Sequence, residues 1–476
     1  MTTDAERDLD LIVLGMGPGG EEVAGRMAEA GWSVLGVDRH LVGGECPYYG
    51  CIPSKMMIRG AAVLAEARRV DALAGSATVQ PDFAPVSARI RDEATDDWDD
   101  QVAVDRFENL GGTFVRGVAR LAGRRADGAI QVEVDGTAYA ATHVVVSVGT
   151  GPAVPPIDGL ADLRGDSPSA EGHIWTNREA VQAKTAPSSL VVLGGGAIGV
   201  EMAQAFARFG TRVTVVEAAG RILGLEEPEA SEAVSAVLER AGITVRTGVA
   251  ARRVAARADG VEVGLADGTT VTGEKLLVAV GRRSNLADVA LDSVGLNPAA
   301  RTLDVDDHMQ VLDGSAPVDG LYSVGDVTGR GAFTHVSVWQ ARVLVAHLLG
   351  REEPFGGYRG MAWVTFTDPE VGRVGLTEAQ ARDNGLTVRT GTTVVASSTR
   401  GWIHGPGNDG IIKLVEDADR GVLVGATVVS PYGGEILGLL TLAVHAEVPV
   451  QALDTMHYAY PTLHRAVSDA VRDLLS

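Results

Sequence analysis

Short apolar runs alternate with glycine-rich or amphipathic stretches along this chain. In the first such pattern the apolar run 9–14 leads into the glycine-rich turn 15–20, and a helix is predicted over about 21–30. The next apolar run, 33–37, is followed by Asp38. A strand, a tight turn and a helix that return to a second strand predict a βαβ unit with a parallel sheet.

The same order of elements is repeated later in the chain. A strand over 189–193, the turn 194–199, a helix over about 200–209 and a strand over 212–216 precede Glu217. Two such units predict an α/β fold with two Rossmann-like domains, each of which binds a dinucleotide.

The segments outside the two units predict further elements. A polar helical stretch covers about 83–110, and short strands connect it to the second unit. Beyond residue 351 the pattern changes to a strand over 363–366 and helices near Thr377 and Glu435, without a glycine fingerprint. The 476 residues also exceed what one hydrophobic core usually serves, so we expect two or three domains.

Both glycine-rich turns have the spacing that a dinucleotide requires. The first glycine allows a tight turn, the second lets the backbone approach a diphosphate, and the third lets the helix pack on the strand. The diphosphate then lies at the positive N-terminus of the helix. Asp38 and Glu217 are predicted to bind ribose hydroxyls. The candidate glycines are Gly15, Gly17 and Gly20 in the first turn and Gly194, Gly196 and Gly199 in the second.

The residues after the second unit's last strand bear on the choice of nicotinamide cofactor. Glu217 can bind the 2′-hydroxyl of NAD and repels the 2′-phosphate of NADP. Arg221 is close enough in sequence to complicate this, but residues 218–220 provide no basic side chain. We expect NADH to be preferred over NADPH.

The acidic composition argues against two classes of partner. The chain has 41 basic and 62 acidic residues and a net charge of -21, which repels nucleic acids and anionic lipid surfaces. Residues 1–8 are polar and the apolar run at 9–14 is short, so we expect neither a signal peptide nor a membrane span. A cytoplasmic protein is expected, and no resident metal site is predicted.

The two cysteines of the chain are Cys46 and Cys51. A secreted disulfide-rich domain would need more, so the pair favours a catalytic or redox-sensing role. Five residues of regular α-helix rise about 7.5 Å, which exceeds the Cα separation of about 7 Å that a disulfide tolerates. The backbone must therefore bend if the two are to bond, and Pro47, Gly50 and Pro53 are expected to bend it. Two buried thiols without redox function are the alternative.

The segment 43–55 resembles the active-site signature of the class I pyridine nucleotide-disulphide oxidoreductases, which include dihydrolipoamide dehydrogenase, glutathione reductase and mercuric reductase. The resemblance extends over essentially the whole chain. Its other segments are 15–20, 194–201, 281–282, 322–327 and 365–370. It implies a homodimer whose subunit has an FAD-binding domain (1–152 and 286–350), an NAD-binding domain (153–285) and a dimerisation domain (351–476).

The resemblance also implies roles for single residues. Cys51 is expected to face the flavin and Cys46 to meet the substrate. Lys55 is expected to form an ion pair with Glu201 near the flavin edge where hydride arrives. The residues expected to contact cofactors besides the two glycine turns, Asp38 and Glu217 are Gly44, Lys55, Gly149, Gly281 and Asp326, the last at the ribityl or diphosphate part of FAD.

The C-terminal segment departs from the family pattern. Most members have a His-Pro-Thr segment followed by a glutamate, whereas this chain has Tyr460 in the histidine position and Arg465 in the glutamate position. A tyrosine with an ordinary pKa of about 10 donates a hydrogen bond but is a poor base at neutral pH. Tyr460 is therefore a candidate catalytic hydrogen-bond donor. Alternative bases with weaker claims are His464, His457, His335 and His40.

Three functions remain open from the sequence. The leading one is an NADH-dependent flavoprotein that cycles Cys46 and Cys51 and passes electrons to a small acceptor, either a low-molecular-weight disulfide or a soft metal ion such as mercuric ion. The second is a diaphorase in which the flavin reduces a quinone, a dye or oxygen directly and the cysteines are secondary. The third is a subunit that serves a lipoyl-bearing partner, which the loss of the family's histidine disfavours. Tyr48 and Tyr49 replace smaller residues between the cysteines, so a reshaped substrate entrance is expected.

Overall fold

The computed structural model of the chain describes residues 7–165, 168–351 and 355–476. The beginning of the polar N-terminal segment, residues 1–6, lies outside the described residues. The chain forms two compact units. The first contains the described residues up to Pro53, Arg89–Pro152 and Arg282–Gly356, and the second contains Ser54–Ala88, Ala153–Gly281 and Gly357–Ser476.

Strands and helices alternate through most of the chain. The strands are β1 (Arg7–Leu14), β2 (Val34–Asp38), β3 (Thr113–Arg116), β4 (Ala119–Arg124), β5 (Ile130–Val134), β6 (Thr137–Val146), β7 (Thr150–Pro152), β8 (Ile174–Trp175), β9 (Ser189–Leu193), β10 (Arg212–Val216), β11 (Thr244–Arg246), β12 (Ala251–Arg257), β13 (Gly260–Leu265), β14 (Thr270–Gly273), β15 (Lys275–Val278), β16 (Arg282–Ser284), β17 (Gln310–Asp313), β18 (Ala316–Ser323), β19 (Ala362–Thr365), β20 (Glu370–Gly375), β21 (Val388–Val394), β22 (Ile411–Asp417) and β23 (Val422–Ser430). The α-helices are α1 (Pro18–Glu29), α2 (Glu45–Tyr48), α3 (Cys51–Leu73), α4 (Ala84–Arg89), α5 (Gln101–Asn109), α6 (Leu160–Arg164), α7 (Asn177–Val181), α8 (Ala197–Arg208), α9 (Pro228–Arg240), α10 (Thr334–Leu348), α11 (Glu378–Asp383), α12 (Thr399–His404), α13 (Gly433–His445), α14 (Val450–Thr455) and α15 (Ala466–Leu475).

The first unit is built on a mixed sheet with the order β17-β18-β6-β1-β2-β3. The strands from β18 to β3 run parallel, while β5 pairs antiparallel with the beginning of β6 and β4 pairs with β5. Leu11, Ile12, Val13 and Leu14 of β1 are fully buried. Burial on both faces explains why β1 is an uninterrupted apolar run, since helices cover parallel sheets on both sides. Helix α1, which follows β1, packs against α10.

The second unit contains two kinds of sheet. A parallel sheet has the order β11-β10-β9-β15-β8. A three-stranded antiparallel sheet, β12-β13-β14, is formed by the chain between β11 and β15. The C-terminal part forms a five-stranded antiparallel sheet with the order β19-β20-β23-β22-β21. Helix α13 packs on β20 and β23, and α15 packs on β21 and β22. Their shared core includes the fully buried Leu414, Val428 and Leu440.

The elements of both predicted βαβ units are confirmed. Strands β9 and β10 have the predicted bounds, and β2 ends on Asp38. Helix α1 begins at Pro18, three residues earlier than predicted, because proline is favoured in the first turn, where a missing N–H costs nothing. Helix α8 likewise begins earlier, at Ala197.

One helical prediction needs correction, and one helix was missed. The stretch 83–110 is interrupted, because α4 passes into a π-helical turn and residues 96–98 take left-handed φ angles before α5 begins. The 23-residue helix α3 was not predicted. Its first turn contains Pro53, which in the sequence reads as a helix breaker but is tolerated where no i−4 partner is required.

Candidate active site

The first glycine turn is shaped by contacts that only glycine permits. Gly15 has φ +95°, and a Cβ there would lie 2.4 Å from the carbonyl oxygen of Ser147. A Cβ on Gly20 would lie 2.0 Å from the carbonyl oxygen of Gly15. A Cβ on Gly17, in contrast, would meet nothing within 4 Å. The first and third glycines therefore serve the packing of strand and helix, and the second faces open space that can admit a ligand.

The second glycine turn repeats this arrangement. A Cβ on Gly194 would lie 2.3 Å from the carbonyl oxygen of Ala279, and one on Gly199 would lie 2.0 Å from that of Gly194. Gly196 again has nothing within 4 Å of the position of a Cβ. The two turns are thus built alike.

Asp38 and Glu217 hold the two turns in the same way. Asp38 accepts the backbone N–H of Met16 at 2.7 Å, and Glu217 accepts that of Gly195 at 2.6 Å. In each case the second carboxylate oxygen accepts another backbone N–H two residues further along the chain. Each acid therefore lies beside the open second glycine of its turn.

The helix N-termini at the two turns suit a diphosphate. Gly17 and Gly196 are the N-cap residues of α1 and α8, and neither terminus is capped by a side chain. The first N–H groups of a helix have no partner within the helix and attract anions. The residues present therefore fit two dinucleotides, one at each turn.

Arg221 is held by the backbone of its own loop. Its guanidinium donates to the carbonyl oxygens of Leu223 at 3.0 Å, Gly224 at 2.9 Å and Glu226 at 2.8 Å. These bonds use both terminal nitrogens of the side chain. The arrangement ties down the basic residue that complicated the choice between NADH and NADPH.

Cys46 and Cys51 lie in the first turns of consecutive helices, α2 and α3. The chain bends between the helices, at Tyr49 and Gly50, where a Cβ on Gly50 would lie 3.0 Å from the carbonyl oxygen of Glu45. The expectation that Pro47 and Pro53 also bend the chain was wrong. Both occupy the first turn of a helix, where proline fits without distortion.

The two cysteines are free thiols, and their side chains are within hydrogen-bond contact of each other. Cys46 is half-buried and Cys51 is exposed. A hydrogen bond to Cys51, together with burial, raises the pKa of the Cys46 thiol well above its ordinary value. Loss of the proton from Cys46 is therefore disfavoured while the two sulfurs are in contact. Thr334 also contacts the pair, with its hydroxyl oxygen 3.6 Å from Cys51 Sγ.

Tyr48 is the last residue of α2, directly before this bend. Its side chain is buried, and its carbonyl oxygen accepts the indole N–H of Trp98 at 3.0 Å. Burial, reinforced by the nearby carboxylate of Asp100, raises the pKa of Tyr48 to about 12. Tyr48 therefore stays protonated near neutral pH and does not serve as a base.

The predicted pair of Lys55 and Glu201 is present in the second unit. Lys55 Nζ donates to Glu201 Oε2 at 3.0 Å, and the other oxygen of Glu201 accepts the backbone N–H of Phe366 at 2.8 Å. The ammonium group also lies 4.6 Å from the centroid of the Phe366 ring. Lys55 comes one helical turn after Cys51 in α3, so the two side chains leave the same face of that helix.

Asp326 begins a short 3-10 turn after β18 and accepts a hydrogen bond from the hydroxyl of Thr150. Arg282 donates to the same hydroxyl at 2.7 Å and to the carbonyl oxygen of Thr150 at 2.6 Å. Its other terminal nitrogen lies 3.5 Å from Glu45 Oε2. In the first unit, the candidate FAD-contacting Asp326 is thus joined to the residue that precedes Cys46.

The remaining candidate glycines all have positive φ. Gly44, with φ +67°, caps the N-terminus of α2, and a Cβ there would lie 2.9 Å from the Cα of Gly17. The start of the cysteine segment therefore lies directly against the first glycine turn. Gly149 (φ +61°) and Gly281 (φ +127°) have no atoms within 4 Å of the position of a Cβ, which leaves room beside each.

Tyr460, the candidate hydrogen-bond donor, is 71% exposed, and its hydroxyl donates to Thr399 Oγ1 at 3.4 Å. Arg465 pairs with Asp469 at 2.9 Å. His464 contacts the Tyr458 ring and lines a cavity of about 350 Å³ in the C-terminal part of the chain. His457 is exposed. The two remaining alternative bases lie in the first unit, where the His335 ring stacks on Phe333 and His40 donates its backbone N–H to Asp38.

Two family models match the chain. The model described as pyridine nucleotide-disulphide oxidoreductase matches residues 9–341, and the model of the dimerisation domain of the same family matches residues 361–471. The chain belongs to the pyridine nucleotide-disulphide oxidoreductase family. The predicted α/β fold with two dinucleotide-binding domains and a C-terminal dimerisation domain is confirmed.

Individual relatives carry different names. Dihydrolipoyl dehydrogenase of Thermus scotoductus is 31% identical over 479 residues, which cover 98% of this chain and 97% of that protein. Mercuric reductase of Streptomyces lividans is 30% identical over 481 residues, with coverage of 99% and 97%. The crystal structure of LpdA from Mycobacterium tuberculosis has a TM-score of 0.83 at 25% identity and covers 98% of this chain and 100% of that one.

Membership of this family makes the protein an FAD-dependent oxidoreductase that uses NAD or NADP. The predicted cofactors are therefore confirmed. The names of the relatives refer to different acceptors, so similarity alone selects none of them. Within the described residues, none of the helices is both long and apolar enough to cross a membrane.

The structure adds contacts that the sequence motifs did not indicate. Thr334 contacts the cysteine pair although it lies 283 residues after Cys51 in the chain, and Phe366 contacts both Lys55 and Glu201. Phe366 lies within a family-like segment that could have suggested it. A single threonine at the start of a helix carries no such signal.

Proposed function

We propose that the enzyme takes electrons from NADH and passes them, through the Cys46–Cys51 pair, to a small acceptor. The supporting observation is the contact between the two thiols across a sharp bend, next to the first glycine turn. Bound FAD would supply two-electron transfer between the nicotinamide and the disulfide. In balance, one hydride equivalent converts the disulfide to one thiol and one thiolate and leaves NAD⁺.

Asp38 and the turn containing Gly17 would hold FAD, with Asp326 and the room beside Gly149 at other parts of that cofactor. Glu217 and the turn containing Gly196 would hold NADH. The hydrogen bonds of Arg221 to backbone carbonyl oxygens support a preference for NADH. The 2′-phosphate of NADPH would meet the Glu217 carboxylate, and the Arg221 guanidinium is already bound elsewhere.

The two thiols would divide the work. Cys51 would accept a hydrogen bond from the Cys46 thiol, which favours Cys51 as the thiolate and the sulfur facing the flavin. Cys46 would then be the sulfur that meets the acceptor. Lys55 would place its charge one helical turn from Cys51, with Glu201 fixing its position.

The candidate acceptors are a low-molecular-weight disulfide and a soft metal ion. Attack on a disulfide requires Cys46 as thiolate, but its pKa is raised and the family's histidine is replaced by Tyr460. A metal ion makes less demand on a base, because binding to sulfur itself releases the proton. The same argument disfavours oxidation of a lipoyl-bearing partner.

The dimerisation domain supports a homodimer in which Tyr460 would complete the partner's site. Its exposure in the single chain accords with such a role. We place the enzyme in the cytoplasm, since a redox pair of this kind works in a reducing compartment.

The first test is anaerobic titration of the purified holoenzyme with NADH, followed by alkylation of the cysteines and mass spectrometry. One equivalent of NADH per chain should make both cysteines alkylatable while the flavin absorbance is retained. Bleaching of the flavin without new thiols would overturn the proposal and favour direct reduction of quinones.

Single variants then distinguish electron transfer through the cysteines from direct transfer by the flavin. Cys46→Ser and Cys51→Ser should each abolish NADH-dependent reduction of oxidised glutathione, lipoamide or Hg²⁺, while NADH oxidation by a water-soluble quinone persists. If both variants keep the first activities, the cysteines do not carry the electrons.

A further inference from the structure

Thr334 has a contact with the redox pair that none of the recognised motifs predicts. Its hydroxyl oxygen lies 3.6 Å from Cys51 Sγ, within the range of a hydrogen bond to sulfur, and the same hydroxyl also bonds to Cys46. Both partners belong to the first unit. The side chain is therefore directed at the two sulfurs that would change oxidation state.

The position of Thr334 in its helix strengthens this contact. It is the first residue of α10, a helix of 15 residues whose N-cap, Phe333, makes no side-chain cap. The N-terminus of a helix carries a partial positive charge that favours a nearby anion. A thiolate at Cys51 would therefore meet a hydroxyl donor on a helix terminus of the matching sign.

The disulfide and the reduced form of the pair differ in how strongly their sulfurs accept hydrogen bonds. A disulfide sulfur is neutral and a weak acceptor, whereas a thiolate is charged and accepts strong hydrogen bonds. Reduction by one hydride equivalent gives one thiol and one thiolate. Two donors, the Thr334 hydroxyl and the Cys46 thiol, would then converge on Cys51.

We propose that Thr334 is a positioning residue that stabilises the reduced form of the Cys46–Cys51 pair by donating its hydroxyl hydrogen to the sulfur of Cys51. The inference rests on the proposed redox role of the pair. It adds the residue that sets how easily the pair is reduced.

The effect on the pKa of Cys46 agrees with this role. Contact with Cys51 and burial raise the pKa of Cys46, whereas the bond from Thr334 lowers it. The threonine hydroxyl thus acts as a donor that favours negative charge on the pair as a whole. A side chain present only for packing would not lower the pKa of Cys46 by a hydrogen bond.

The test equilibrates the FAD-loaded protein with buffers of reduced and oxidised glutathione and measures the disulfide fraction by alkylation and mass spectrometry. Thr334→Val keeps the shape of the side chain and removes the hydroxyl, and Thr334→Ser restores the hydroxyl. The Val variant should shift the equilibrium about 10-fold or more toward the disulfide, since hydrogen bonds to charged groups are the stronger ones. The Ser variant should keep the wild-type equilibrium.

A second measurement is the pH profile of alkylation of Cys51 by iodoacetamide, which needs no NADH. Thr334→Val should move the pH profile of Cys51 alkylation to higher pH, and Thr334→Ser should have the same profile as the wild type. If the Val variant loses FAD, Thr334→Ala is measured in its place. Equal equilibria and profiles in all variants would overturn the role of Thr334, while a wild-type pair that never forms a disulfide would overturn the proposed function as well.

Discussion

Lys55 Nζ lies 3.0 Å from Glu201 Oε2, and Glu201 is the more deeply buried partner, with only 5% of the residue exposed. Its second oxygen is held by the backbone N–H of Phe366, so the carboxylate has a fixed orientation. The more exposed ammonium group is in turn bounded by the Phe366 ring. The pair therefore places one positive charge at a defined position, and Glu201 is the residue that defines it.

Glu201→Gln is expected to slow reduction of the bound FAD by NADH. The amide keeps the size of the side chain but withdraws the negative charge that positions Lys55. A hydrogen bond between charged groups contributes about 1.5–3 kcal/mol, so the rate should fall about 10-fold or more. Anaerobic stopped-flow absorbance measures this step directly.

Gln204→Ala is the matched control for this variant. Gln204 lies one turn later in α8 and bonds to both backbone groups of Asp368, close to Phe366 in sequence. It reports damage to this segment without touching the ion pair. If Gln204→Ala slows FAD reduction as much as Glu201→Gln does, the charge of Glu201 has no specific part in the step.

The preference for NADH should depend on Glu217. The wild-type enzyme is expected to have a higher kcat/KM for NADH than for NADPH, because a carboxylate repels the 2′-phosphate. Glu217→Gln should lower the ratio of kcat/KM for NADH to kcat/KM for NADPH, mainly by raising kcat/KM for NADPH. Arg221→Ala should leave the ratio unchanged, since its guanidinium is bound to backbone carbonyls of its own loop. A loss of NADPH activity in that variant would show that Arg221 reaches the coenzyme.

The parts of the fold that the sequence predicts are those set by local patterns. Strands β9 and β10 could be placed to the residue, because Gly194 ends the first apolar run and Glu217 ends the second. Helix α3 escaped prediction, since Pro53 in its first turn hides its start. The left-handed φ angles of Asp96, Asp97 and Trp98 also have no local signal, and contacts from distant residues such as the Trp98–Tyr48 hydrogen bond accompany them.

The candidate site divides along the same line. Cys46, Cys51 and Lys55 stand within one short segment, so spacing and backbone-shaping neighbours reveal them. Thr334 reaches the cysteine pair within the first unit, and Phe366 reaches Lys55 within the second, each only through the tertiary packing of its own unit. Arg221 shows a further limit of prediction from sequence. The sequence shows that a basic residue is close to Glu217, but it does not show that backbone carbonyl oxygens already bind its guanidinium.

Reduction of a disulfide acceptor should accelerate as the pH rises. The raised pKa of Cys46 means that its thiolate, the attacking species, is scarce at neutral pH and grows about tenfold per pH unit below that pKa. Tyr48, with a pKa raised to about 12, does not titrate in this range. Steady-state rates with oxidised glutathione between pH 6 and 9, at saturating NADH, measure the slope. A rate independent of pH would show that Cys46 thiolate formation does not limit the reaction.

Restoring the family's acid–base pair should accelerate disulfide reduction at neutral pH. The variant Tyr460→His with Arg465→Glu supplies a group that titrates near pH 6.5, and positioned general acid–base catalysis contributes about 10²-fold or more. Because Arg465 pairs with Asp469, the triple variant that adds Asp469→Asn avoids two like charges one helical turn apart. His464→Ala serves as the control, since that histidine lies beside the same segment and contacts Tyr458. If the triple variant gains nothing while His464→Ala loses disulfide reduction, His464 is the native base and Tyr460 has no part in proton transfer.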